Sequence, residues 1–139
     1  MIIKVLYTAF LLAIFGAVSG LPTRESVSEA AYRTKGDLQG RGTIYYQYGA
    51  YGSCGVKHAD GDFIVALGKT YMKSYKSPNC GRHITARNTS NGKTVNVIVA
   101  DTCEKCGPGD VDFALGPWNA LTNNAAPGLF TVSWYVPHN

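Results

Sequence analysis

Residues 99–121, VADTCEKCGPGDVDFALGPWNAL, link a β-type run to a helix through a loop rich in glycine and cysteine. The run before the loop, residues 94–99, alternates valine with other side chains, which is typical of a strand. After the loop, residues 116–123 begin with Gly-Pro, and proline suits the first turn of a helix. The stretch therefore predicts a strand, a cysteine loop and a short helix in close succession.

Short strands separated by glycine-rich turns are predicted on both sides of this stretch. The predicted strands cover residues 43–48, 63–67, 84–87, 94–99 and 129–136. Residues 63–67, FIVAL, fit either a buried strand or one helical turn. Asn91-Gly92 between two β runs is a strong hairpin signal. We expect residues 40–139 to form one compact, mostly antiparallel all-β domain.

The N-terminal segment has the layout of a secretory signal peptide. Lys4 precedes an apolar run over residues 5–18, and the small residues Ser19 and Gly20 fit a cleavage site. A membrane anchor is the alternative, but this run is shorter than the roughly 20 residues that span a bilayer. We therefore expect residues 1–20 to be removed and the protein to be secreted, with no membrane association afterwards.

The next segment, residues 21–39, is polar, mixed in charge and without periodicity, which predicts a flexible tail or a pro-segment. The chain has 139 residues and a net charge of +4, and loss of residues 1–20 removes Lys4 as the only charged residue. Such a mild, scattered charge predicts no nucleic-acid partner. It is compatible with loose attraction to acidic polymers.

All four cysteines, Cys54, Cys80, Cys103 and Cys106, follow the export signal. An even number of cysteines in a secreted chain indicates two disulfides, and three pairings are open at this point. Zinc is the alternative, because Cys103 and Cys106 have ligand spacing. The other two cysteines form no second CxxC pair and have no HxxxH motif nearby, so we expect neither a metal nor another cofactor.

Five motifs follow one another along the chain: GRGTIYY at 40–46, GSCG at 52–55, NCGRHI at 79–84, the stretch 99–121, and GLFTVSWYV at 128–136. In this order and spacing they resemble the double-psi β-barrel of expansins. Loosenin-type fungal proteins, barwin and the bacterial rare lipoprotein A family share this pattern. The resemblance implies an all-β, six-stranded double-psi β-barrel with one or two short helices, and frequent glycines suit the corners of such a barrel.

The resemblance also implies site residues. Asp112, Asp101 and Thr43 match the residues on which the expansin groove depends. Cys103 stands where bacterial expansins have a tyrosine, and Ala114 where the family has a serine. Expansins join the cysteine of GxCG to the later CG cysteine, which implies the pairs Cys54–Cys80 and Cys103–Cys106.

Two aspartates around one groove allow acid chemistry. Partial burial and a neighbouring charge can keep one of them protonated, and a protonated Asp can donate to a glycosidic oxygen. Hydrolysis needs a second carboxylate about 5–10 Å away. Structural roles stay open from the residues alone: a strand-end cap or salt bridge for Asp101 and loop hydrogen bonding for Asp112. Asp110, in Gly-Pro-Gly-Asp, is predicted to be a turn residue.

Four tyrosines crowd one glycine-rich loop and are predicted to stack on sugar rings: Tyr45, Tyr46, Tyr48 and Tyr51. Trp118 and Trp134 are predicted to pack in the core. The dispersed histidines, His58, His83 and His138, are interpreted as solvated side chains. Asn88-Thr89-Ser90 is an N-glycosylation sequon.

The residues and the resemblance are compatible with three functions. The first is a secreted, non-hydrolytic, monomeric protein that binds and loosens glucan, chitin or a related wall polymer. The chain ends without the second, cellulose-binding domain of expansins, so weaker binding to crystalline cellulose is expected. The second is a protein-binding effector or cysteine-protease inhibitor, acting on a host or microbial protein. The third is a glycoside hydrolase or lytic transglycosylase, but this chain lacks the histidine expected near residues 73–75 in the lytic branch.

Overall fold

The structure, a computed structural model, describes residues 37–137 as six strands and one helix. The strands are β1 (Leu38–Ile44), β2 (Ile64–Gly68), β3 (His83–Asn88), β4 (Thr94–Cys103), β5 (Val111–Phe113) and β6 (Phe130–Tyr135), and the helix is α1 (Leu115–Thr122). The strands close into a barrel in the order β1-β5-β2-β4-β3-β6. The predicted six-stranded all-β barrel with a short helix is confirmed. Within residues 37–137, no helix is long and apolar enough to cross a membrane.

Four of the six strand contacts are antiparallel, as expected, and two are parallel. The β3–β4 hairpin turns at Asn91-Gly92 as predicted, with Gly92 at a positive φ of 77° that glycine adopts without strain. The parallel contacts join β1 to β5 and β2 to β4, strands that are distant in the chain. These contacts bring the first strand beside the residues that follow the cysteine loop.

β1 lies earlier in the chain than predicted. It begins at Leu38, inside the segment expected to be a tail, because this end pairs with β6. The strand predicted over residues 43–48 is wrong beyond Ile44, since the chain turns away and Tyr48 adopts a positive φ of 50°. The predicted signal peptide, the tail before residue 37 and His138 lie outside the described residues.

The barrel interior is filled by apolar side chains from every strand and from α1. Trp118 and Trp134 are each 2% exposed, which confirms their predicted core position. Both indole N–H groups are satisfied: Trp118 Nε1 donates to Ala125 O and Trp134 Nε1 to Gly109 O, each at 2.9 Å. A buried aromatic ring with a paired N–H stabilises the core without an unsatisfied polar group.

One disulfide joins two loops, and the other closes the loop that follows β4. Cys54 pairs with Cys80, with their Cα atoms 5.5 Å apart, and Cys103 pairs with Cys106, with their Cα atoms 5.4 Å apart. This is the pairing that the expansin resemblance implied. Among residues 37–137 no cysteine is free. Fully paired cysteines fit an oxidising compartment.

Candidate functional site

Four neighbouring strands, β1, β5, β2 and β4, align four residues in one row across the barrel surface. Thr43 pairs with Asp112, Asp112 with Ala66, and Ala66 with Asp101. Paired residues on adjacent strands point to the same face of a sheet, so both carboxylates lie on one face. One strand separates the aspartates, which puts their Cα atoms about 10 Å apart at the usual strand spacing.

A β-bulge in β4 is what turns Asp101 to this face. Valines at every second position of β4 point into the core, and strict alternation would send Asp101 inward after Val99. Val99 pairs with Val65 of β2. The next pair joins Asp101 to Ala66, which leaves Ala100 as an extra residue. Such a bulge reverses the alternation and re-aims the following side chain.

Asp112 is half-buried beside the hydroxyl of Thr43, whose Oγ1 donates to Asp112 Oδ1 at 2.7 Å. Burial raises the pKa of Asp112, and the charge of Asp101 raises it further, while the Thr43 hydrogen bond opposes the shift. The net effect is a raised pKa, so Asp112 keeps its proton to a higher pH than an ordinary carboxyl group. That property suits a proton donor.

Asp101 holds a loop against the end of β4. Its Oδ1 accepts the backbone N–H groups of Ser53 and Thr102, each at 2.8 Å. The hydroxyls of Ser53 and Thr102 are hydrogen-bonded to each other at 2.7 Å. Asp101 therefore caps the end of the strand, which is the structural role that the sequence left open. Its side chain also lies on the same face of the sheet as that of Asp112.

An open groove with a volume of about 580 Å³ lies at the Asp101 end of the row. It is lined by Ser53, Lys69, Met72, Lys73, Ser74, Tyr75, Asp101, Thr102 and Glu104. The lining includes Asp101 but, of the predicted site residues, neither Asp112 nor Thr43. The groove thus meets the carboxylate row at one end rather than covering it.

The four predicted stacking tyrosines lie in different environments. Tyr45 packs against Ile64, Ala100 and Ala114, and its Oη is buried without a hydrogen-bond partner among the residues that the structure describes. Burial, with the charges of Asp101 and other aspartates, raises the pKa of the Tyr45 hydroxyl. Tyr45 is therefore half-buried, and the part of its ring that packs against these side chains is not available for stacking on a sugar.

Of the other three tyrosines, Tyr48 and Tyr51 are exposed, and Tyr46 is half-buried like Tyr45. The rings of Tyr46 and Tyr48 stack on each other with centroids 5.5 Å apart, and Tyr48 is 83% exposed. Tyr51 is 69% exposed, and Lys57 Nζ lies 4.8 Å from its ring centroid. Sequence reasoning missed Tyr75, which is 67% exposed and lines the groove itself. The sequence feature that could have indicated Tyr75 is its position between Lys73 and Lys76 in a loop.

Asp110 fixes the loop before β5, as its turn prediction suggested. It accepts the backbone N–H of Gly107 at 2.9 Å and that of Arg41 at 2.8 Å. The Arg41 guanidinium also donates to Asp110 Oδ2, from Nη2 at 2.7 Å and from Nε at 3.2 Å. Hydrogen bonds from Arg41 lower the pKa of Asp110 to about 2.

Of the histidines that the structure describes, neither His58 nor His83 is hydrogen-bonded to Asp101 or Asp112. His58 Nδ1 contacts Asp62 Oδ2 at 3.2 Å, and His83 is exposed at the start of β3. No group of three or more His, Cys, Asp or Glu side chains in residues 37–137 is arranged to hold a metal ion.

The sequon at Asn88 lies in a packed position. Asn88 is 4% exposed, and its Nδ2 donates to Leu121 O at 3.0 Å. Its Oδ1 accepts the backbone N–H of Ser90, also at 3.0 Å. A glycan on Nδ2 would need space that the protein already fills, so the predicted glycosylation of Asn88 is incompatible with this packing.

Comparison with solved structures places this architecture among known folds. Apo expansin of Clavibacter michiganensis aligns with a TM-score of 0.62 at 26% identity, covering 74% of this chain and 51% of that one. An Asp-to-Asn mutant of the same expansin, in complex with cellohexaose, aligns with a TM-score of 0.61 at 25% identity, covering 73% and 50%. This chain thus spans about half the length of that expansin.

Two further matches are more distant in sequence and show the fold alone. The Streptomyces papain inhibitor aligns with a TM-score of 0.57 at 21% identity, covering 70% of this chain and 93% of that one. Cerato-platanin 3 from M. perniciosa aligns with a TM-score of 0.54 at 16% identity, covering 73% and 94%. No family model matches the chain, and no curated protein matches its sequence. The described residues thus form a double-psi β-barrel that is similar in fold to these solved structures.

Proposed function

We propose that this protein is secreted, binds cell-wall polysaccharide in the groove beside Asp101, and loosens the polymer without hydrolysing it. The observation that carries the proposal is the row Thr43, Asp112, Ala66 and Asp101, which joins a carboxyl of raised pKa to an open groove. The match to an expansin bound to cellohexaose supports a sugar polymer as ligand. The two disulfides support export.

Both carboxylates already accept hydrogen bonds within the protein, which favours loosening over hydrolysis. A glycosidase needs one carboxyl group as acid and a second one free to act as base or nucleophile. Here Asp101 Oδ1 already accepts two backbone N–H groups, and Asp112 is hydrogen-bonded to Thr43. Hydrogen bonding and proton donation to polymer oxygens remain available, and these can compete with the hydrogen bonds between polymer chains.

The test is a pull-down of the secreted protein with insoluble cellulose, chitin and whole cell wall, together with a reducing-sugar assay on the same samples. We expect retention on at least one polymer and no release of reducing ends. Absence of retention on all three would contradict the binding proposal. Release of reducing ends that disappears in Asp112→Asn would assign hydrolysis instead.

A second function, inhibition of a cysteine protease, is favoured by one surface feature. Tyr48 and Tyr51 project from the loop after β1 and are 83% and 69% exposed, and exposed aromatic residues are frequent anchors in protein interfaces. The matching papain inhibitor is nearly covered by this chain. A papain assay with wild type and a Tyr48→Ala/Tyr51→Ala variant decides this function. Inhibition that the variant loses supports it, and no inhibition by the wild type excludes papain as the target.

A further inference from the structure

We propose that the groove selects anionic sugar polymers, with Lys73 and Lys76 supplying positive charge and Tyr75 supplying the stacking surface. The inference rests on the proposed polysaccharide binding and adds the class of polymer. The shared chemistry of the ligand is a sugar ring that carries a carboxylate or a sulfate ester.

The charges of the groove are unequally paired. Lys69 forms an ion pair with Glu104, so these two lining charges neutralise each other. Asp101 shares its Oδ1 with two backbone N–H groups. Lys73 also lines the groove, and within residues 37–137 it has neither an acidic partner nor a hydrogen bond. An anionic ligand would supply the counter-charge that the protein does not.

The second positive charge is the ammonium group of Lys76, which lies over the ring of Tyr75. Lys76 Nζ lies 5.5 Å from the ring centroid of Tyr75, in cation–π geometry. The backbone N–H of Lys76 donates to Ser53 O at 2.9 Å, and the nearby Cys54–Cys80 disulfide joins the same two loops covalently. The ring and the ammonium group are therefore placed by a fastened backbone, not by a free loop.

The side chains in and beside the groove match a charged sugar better than a neutral one. An aromatic ring can stack on the C–H face of any sugar, and the Ser53–Thr102 hydroxyl pair can bond its hydroxyl groups. A neutral glucan would use these features but leave Lys73 without a counter-charge. A uronate or a sulfated sugar would place its charge near both lysines while the ring stacks on Tyr75.

Matched polymer pairs test the inference, because each pair differs in charge and shares its backbone. Binding is measured by affinity electrophoresis for polygalacturonate against its methyl ester, and for dextran sulfate against dextran. We expect the charged member of at least one pair to bind at least about fivefold more tightly near 0.1 M salt. The preference should shrink at 0.5 M salt, since screening shortens the range of exposed charges.

Single lysine substitutions separate the groove from the net charge of the protein. Lys73→Gln and Lys76→Gln should each weaken binding of the preferred anionic polymer by about threefold. Lys93→Gln removes the same charge at the opposite end of β4, where Lys93 contacts Asn123, and should leave binding unchanged. Tyr75→Ala should weaken binding of charged and neutral polymers alike, with thermal melts confirming that each variant is folded.

Failure of this inference can be told apart from failure of the proposed polysaccharide binding. Preference for polygalacturonate alone assigns a carboxylated sugar, and preference in both pairs assigns anionic sugars in general. Equal binding within both pairs overturns the inference, while retention on whole cell wall keeps the proposed function. Equal losses in the Lys73, Lys76 and Lys93 variants also overturn it, since the attraction would then come from net charge.

Discussion

Asp112 is the residue on which the proposed loosening depends most directly. Asp112→Asn keeps the shape of the side chain and its contact with Thr43 but removes the titrating proton. We expect wall extension or filter-paper weakening to fall at least about tenfold, with polymer binding retained. Asp101→Asn should reduce loosening less, because Asp101 acts through its charge on Asp112. A folded Asp112→Asn protein with full activity would favour the inhibitor function.

The pH dependence of loosening follows from the same carboxyl group. Because burial raises the pKa of Asp112, its protonated form persists above the usual range of an aspartate and is lost as pH rises through the raised value. Loosening by the wild type should therefore decline from acidic towards neutral pH. Extension assays across pH 3–8 on walls of constant composition measure this decline. Activity that rises with pH would show that the ionised carboxylate acts instead.

Tyr45 carries a buried hydroxyl without a partner in the described structure. Tyr45→Phe removes that hydroxyl and leaves the ring packed against Ile64, Ala100 and Ala114. We expect the free energy of unfolding to stay constant or to rise by up to about 1 kcal/mol, because no hydrogen bond is lost. Urea unfolding measures it, with Tyr48→Phe on the exposed loop as the control. A loss of more than about 1 kcal/mol would mean that a bound water or ligand uses the Tyr45 hydroxyl.

At the scale of elements, the Arg41–Asp110 contact joins β1 to the loop that precedes β5. Asp110 accepts hydrogen bonds from both the guanidinium and the backbone of Arg41, so it holds the parallel β1–β5 contact in register. This contact aligns Thr43 with Asp112. Asp110, a turn residue two positions before Asp112, thus supports the alignment of Thr43 with Asp112.

The stability that this contact provides should depend on pH. The pKa of Asp110 is about 2 in the folded protein, against about 3.9 for an unfolded aspartate. A lowered pKa adds stability above pH ~4 that is lost as pH falls towards 2. We expect the Tm advantage of wild type over Asp110→Asn to be constant above pH 5, to shrink as pH falls through 2, and to vanish below that value. An advantage that grows with acidity would contradict this assignment.

At the scale of the whole molecule, the two disulfides should contribute unequally. Cys54 and Cys80 are 26 positions apart, and Cys103 and Cys106 only 3. In the chain-entropy model the longer loop is worth about 3.5 kcal/mol and the shorter about 2 kcal/mol. Denaturant unfolding of Cys54→Ser/Cys80→Ser and of Cys103→Ser/Cys106→Ser measures both. A larger loss for the second pair would mean that native-state packing around the CxxC loop outweighs loop entropy.

Features that depend on neighbouring residues could be predicted from the sequence. The hairpin at Asn91-Gly92 follows from turn chemistry, and the helix start near Pro117 follows from the restricted φ of proline. Trp118 on the helix and Trp134 on β6 were predicted to be buried because of their large apolar area. The disulfide pairing, by contrast, came from the resemblance to expansins, since four cysteines alone allow three pairings.

The site depended on contacts between distant segments, which alternation along one strand cannot reveal. The pattern of β4 would point Asp101 into the core, and only pairing with β2 creates the bulge at Ala100 that turns it outward. Tyr45 and Tyr75 have the same side chain, yet Tyr45 is half-buried against Ile64, Ala100 and Ala114, whereas Tyr75 is exposed and lines the groove. Barrel closure decides this difference, because the neighbours that cover a side chain come from strands far away in the sequence.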